Sequence, residues 1–137
     1  GGGGAFDWAA HDNRTMSMVE NGIDVDNAVK VAYKFYLEHP DETLIVVTAD
    51  HETGGLTLGC GSSTINWEKM ENQWIESGKK NVLDHKANAE FNKSCSIGWT
   101  TGSHTGGAVP VFAVGVGAEK FSGRIDNTDI KGKILGK

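Results

Sequence analysis

The sequence holds 137 residues, 38% of them hydrophobic and 23% charged, with a net charge of −5. That is enough for one globular domain with a real core, and the composition is far from that of a disordered chain. The acidic balance without a basic block argues against a nucleic-acid partner, and no apolar run reaches the length of a membrane span.

The chain opens on four glycines, Gly1 to Gly4, which read as a linker or tag-like start. GGGGAFDW lacks the basic start and apolar centre of a signal peptide, as a mature secreted chain or an excised fragment would. Thr15 to Asn21 is mixed and fits either a loop or a short helix. Asp24–His39 carries the clearest helical pattern, with Asp24 as N-cap and Val25, Val29, Ala32, Tyr33 and Tyr36 on one face. Pro40 stops it.

Residues 43–48 form a continuous apolar, β-branched run, which predicts a strand covered on both faces in a parallel or mixed sheet. Gly54 to Thr64 is loop-like. Asn66 to Ser77 predicts a helix with Trp67, Met70 and Trp74 on one side as packing residues. Lys79 to Lys93 is helical in part. Cys95 to Gly107 is small and polar and holds His104. Val109 to Val116 predicts a second strand, with Pro110 near its start. A short helix follows around Asp126 to Leu135. Cys60 and Cys95 lie far apart and outside any CxxC pair, so a cysteine zinc site is not expected. One disulfide and two free thiols fit them equally.

Three groups of residues can carry chemistry. Asp50 and His51 sit at the carboxyl end of the first predicted strand, where ligands bind in open α/β sheets, and Gly54-Gly55 lets the chain turn away after them. Taken alone, this pair is better read as a turn cap and a satisfied polar residue. Asp7 and His11, spaced D-x3-H, share one face of a helical turn and are both ordinary zinc ligands. His104 sits among small residues just before the second strand. Each has an ordinary surface reading, but two histidines, an aspartate and an open position describe a catalytic zinc site. His39, closing a helix before Pro40, and His85, in a polar stretch, are assigned to the surface.

Four segments in order, FDWAAH (6–11), TLIVVTADHETGG (43–55), SHTGGAVPVFAVG (103–115) and GAEKFSGRIDNTDI (117–130), resemble the C-terminal part of the alkaline phosphatase family. The TADHETGG block is the most specific, and residues 60–100 match least. The resemblance implies an α/β fold: a partial three-layer sheet-and-helix core in one domain over 1–137, with a crown-like insertion at about 60–100.

It also implies roles. Asp7, His11 and His104 would hold one zinc. Asp50 and His51 would give part of a second, completed by an upstream aspartate. A serine nucleophile, phosphorylated and then hydrolysed, would act between the two metals on a phosphate monoester. No segment here resembles the serine motif, so no catalytic nucleophile is assigned to this chain. Trp8 falls where the family places a residue that helps bind phosphate, often Lys or His, and an indole adds no charge there. The family's magnesium-binding glutamate would fall at Gly2, so that ligand is absent.

The expectation is therefore the metal-binding C-terminal part of a zinc-dependent phosphomonoesterase, inactive by itself. Its expected partners are phosphate monoesters or inorganic phosphate, the missing N-terminal part and, as an option, a second copy in a homodimer. The family implies a periplasmic or secreted location. The competing readings are a phosphomutase or sulfatase-like hydrolase of the same superfamily, and a non-catalytic metal-binding module. ETGG after the Asp-His pair and the HTGG-x-VPVF strand favour the phosphatase.

Overall fold

A computed structural model describes residues 3–59 and 63–136. The chain forms two compact units, one from residues 1–24 and 52–107, the other from 25–51 and 108–137.

The first unit opens with helix α1 (Gly3–His11), which buries Ala9 and Ala10. Asn13 ends it in the left-handed region at φ 54°, a conformation that asparagine tolerates better than most residues. A buried polar network fixes this turn. The amides of Asn88 and Asn92 donate to the Asn13 carbonyl at 2.9 and 3.0 Å. The Thr15 hydroxyl donates to Asn92 Oδ1 at 3.0 Å and accepts from the Trp99 indole at 3.0 Å. Thr15 and Asn92 are each only 2% exposed, so every member needs its partner.

Helix α2 (Thr15–Glu38) gives its first turns, through Asp24, to this unit. The 15–21 stretch is thus helical and Asp24 lies inside the helix rather than at its N-cap. The apolar centre is Met70, Cys95 and Ile97, with Met16, Leu56, Ile65, Phe91 and Trp99 packed on it. Strand β2 (Thr57–Leu58) pairs antiparallel with β3 (Ile97–Gly98).

Helices α3 (Trp67–Glu76) and α4 (His85–Ser94) begin at side-chain caps. Asn66 accepts from the Lys69 amide, and Asp84 from the Ala87 amide. Met70 and Trp74 are buried as their spacing predicts, but Trp67 is 43% exposed: placed in the first turn, it lies outside the cluster. Cys95 is fully buried, and Cys60 lies outside the described residues.

Gly54 is a tight point of this unit. Its φ is +90°, and an added Cβ would lie 2.5 Å from the Trp99 ring and 3.1 Å from the Ala10 carbonyl. Gly54→Ala is expected to cost about 2–4 kcal/mol by adding backbone strain to overpacking. Urea denaturation measures it, and a loss under about 1 kcal/mol would show that the turn yields.

The second unit carries the rest of α2, from Val25 to Glu38. Strand β1 (Leu44–Thr48) pairs antiparallel with β4 (Val111–Gly115), Leu44 opposite Gly115 and Thr48 opposite Val111. Pro110 falls just before β4, where its missing N–H does no harm. The C-terminal 3-10 turn Asn127–Asp129 leads into α5 (Ile130–Ile134), its start capped by Asp126. The apolar run of β1 predicts cover on both faces, yet its residues are half-buried and Thr48 is exposed. Two paired strands leave both faces of an LIVV run incompletely covered within this unit. Val31, Tyr33, Phe35 and Leu37 on α2, and Phe112 on β4, are exposed as well.

Candidate functional site

Asp7 and His11 are one turn apart on α1, so both side chains leave the helix on the same face. His11 Nε2 lies 3.5 Å from Asp7 Oδ2. The outer atom of each group is engaged elsewhere. His11 Nδ1 donates to the Gly102 carbonyl at 2.7 Å. A carbonyl only accepts, so the neutral ring keeps its proton at Nδ1 and its lone pair at Nε2. The Thr53 hydroxyl donates to Asp7 Oδ1 at 2.8 Å, while Oδ2 faces the histidine.

His104 lies beside both. Its ring centroid is 5.1 Å from that of His11, tilted by 40°, and a ring nitrogen lies within 4.8 Å of an Asp7 carboxylate oxygen. His104 is exposed and Asp7 and His11 are half-buried, so the group is open on one side. Trp8 stands beside it, 71% exposed, its ring centroid 6.3 Å from that of His11.

The loop that carries His104 is fastened to the 52–55 turn. Glu52 Oε2 accepts from the Thr105 amide at 3.0 Å and, in a short hydrogen bond, from the Thr105 hydroxyl. Its Oε1 accepts from the Gly55 amide at 2.6 Å. The Gly54 amide donates to the Ser103 carbonyl at 2.8 Å.

The Thr105 hydroxyl, then the Gly55 and Thr105 amides and the nearby His104, hold the Glu52 carboxyl below the ordinary 4.5, against the opposing effect of burial. Because the folded value is depressed, this clamp contributes fully above the unfolded value and is lost as pH falls through the folded one. Sequence reasoning passes over Glu52, Thr53 and Thr105. The only local hint is a carboxylate directly ahead of T-G-G, where turn amides need an acceptor.

Asp50 and His51 belong to the second unit, at the carboxyl end of β1. His51 Nε2 lies 3.5 Å from Asp50 Oδ2, and the aspartate side chain is 89% exposed. Thr48, Ala49 and Asp50 line a shallow cleft with Asn127, Thr128 and Lys131. Of the remaining histidines, His39 pairs with Glu42 at 2.9 Å and stacks on Phe35, and His85 is exposed at the start of α4.

Comparison with known proteins gives one consistent result. The family model for alkaline phosphatase matches residues 2–82 and 68–135. Alkaline phosphatase 4 of Bacillus subtilis (strain 168) is 34% identical over 168 residues, covering 93% of this chain and 36% of the relative. Alkaline phosphatase 3 of the same organism is 34% identical over 177 residues, covering 97% and 38%. Among solved structures, a cold-active alkaline phosphatase from a psychrophilic Shewanella species superposes with a TM-score of 0.79 at 27% identity, covering 98% of this chain and 43% of that one. The alkaline phosphatase of the Antarctic bacterium TAB5 gives 0.69 at 30% identity, covering 98% and 33%. The chain therefore spans little more than a third of the two Bacillus relatives.

Proposed function

The chain belongs to the alkaline phosphatase family and has its α/β fold, and we propose that it is the metal-binding C-terminal part of a zinc-dependent phosphomonoesterase. The observation that carries this reading is the pairing of His11 Nε2 with Asp7 Oδ2. Two ligand atoms each about 2.0–2.2 Å from one tetrahedral zinc stand about 3.3–3.6 Å apart, and these two are separated by 3.5 Å. Their other atoms already have partners in Gly102 and Thr53, the kind of support that orients metal ligands. His104 would be the third ligand, and the exposed side would admit a substrate oxygen.

Asp50 and His51 are proposed as part of a second zinc site. A bound zinc supplies Lewis-acid charge to a phosphoryl oxygen. This chain's own residues bind and orient: α1 presents Asp7 and His11, the 102–107 loop presents His104, and the end of β1 presents Asp50 and His51. The serine that forms the phosphoserine is assigned to a region outside these residues. No magnesium site is proposed from this chain, since the family's glutamate position falls at Gly2, outside the described residues.

The substrates on this reading are phosphate monoesters, and the location is the periplasm or the exterior by family relation alone. No described helix is long and apolar enough to cross a membrane.

Zinc titration by calorimetry tests the reading. About one zinc per chain is expected to bind tightly, with release to a chelator. A chain that takes up no zinc at neutral pH would overturn it.

A further inference from the structure

His104 stands exposed on a loop of small residues: Gly102, Ser103, Thr105, Gly106 and Gly107. Such a loop has much conformational freedom, and an imidazole on it is poorly placed unless the backbone is held. Both neighbours of His104 are held by the 52–55 turn. Ser103 is tied through its carbonyl to the Gly54 amide, and Thr105 through its amide and hydroxyl to Glu52. Glu52 is in turn braced by the Gly55 amide.

We propose that Glu52 is a positioning residue that clamps Thr105, so that the His104 imidazole stays within reach of Asp7 and His11 for a divalent metal. The inference rests on the metal reading above and assigns Glu52 no contact with metal or substrate. Its two carboxylate oxygens accept three hydrogen bonds, one from Gly55 in its own turn and two from Thr105, 53 residues further along the chain.

The test measures zinc affinity of the whole chain by competition with a chromophoric chelator, using zinc ion alone as the probe. Thr105→Val removes the hydroxyl and keeps the shape, and should raise the zinc Kd about 10–100-fold, the range typical of an outer-shell partner. Thr105→Ser keeps the hydroxyl and should restore near wild-type affinity. Glu52→Gln should weaken binding like Thr105→Val. Because Glu52 adjoins His51, the Thr105 pair separates the clamp from any effect on the second site.

The visible spectrum of the cobalt-substituted chain supplies a readout that a general loss of stability would not move. Its tetrahedral bands should shift or fade in Thr105→Val and not in Thr105→Ser. A metal-binding wild type with unchanged Kd and spectrum in Thr105→Val would overturn this inference alone. A wild-type chain that binds no zinc would overturn the metal reading, and with it the purpose assigned to the clamp.

Discussion

His104→Ala is expected to lower zinc affinity by more than about 100-fold, beyond what loss of an outer-shell partner costs, and to change folding stability by less than about 0.5 kcal/mol. The contrast follows from placement. His104 is exposed and belongs to no core cluster, so truncating its ring opens no core cavity, whereas a site with three protein ligands depends on each. His11→Ala should differ in kind. It removes a ligand and also the hydrogen bond to the Gly102 carbonyl, so it should add about 1 kcal/mol of destabilisation to the same loss of affinity. Chelator competition and urea denaturation on the same samples check both. Equal zinc affinity in His104→Ala and wild type would remove His104 from the ligand set.

The D-x3-H spacing could be read before any fold was known because its geometry is local: one helical turn puts both groups on one face wherever the helix lies. The helix caps at Asn66 and Asp126 are local too. The start of α2 was hidden for an instructive reason. Asn21 and Gly22 look like a break, yet the Asn21 amide donates to the Ala5 carbonyl at 3.0 Å. A Cβ on Gly22 would come 3.3 Å from the Phe6 ring. The pair marks a close approach of α1 to α2, and that is a tertiary fact.

The same limit applies to the site. The bond from His11 to Gly102 spans 91 residues, and that from Thr53 to Asp7 spans 46. No periodicity encodes such pairings. The strand at 109–116 could be read, but its antiparallel pairing with β1 could not, because an apolar run states that a strand is to be covered and not by what.

The isolated chain is expected to hydrolyse p-nitrophenyl phosphate no faster than zinc alone. Activity should rise at least about 1,000-fold when a polypeptide bearing the N-terminal portion of a family member is supplied in trans, because losing a nucleophile leaves only residual catalysis from binding and electrostatics. On the proposed reading, that partner would dock on the second unit. Its half of α2 carries Val31 and Phe35 on one side and Tyr33 and Leu37 on another, all exposed, and a helix apolar on more than one side belongs inside a larger core. Phe112 on β4 is exposed too, at 65%, and exposed apolar side chains of this kind are what the proposed interface would cover. Phe35→Asp should therefore weaken complementation at least about 10-fold while costing the chain's own unfolding no more than about 1–2 kcal/mol, mainly the lost stacking on His39. Chelator-sensitive turnover by the chain alone, restored by zinc, would refute the need for a partner. Complementation indifferent to Phe35→Asp would move the docking surface elsewhere.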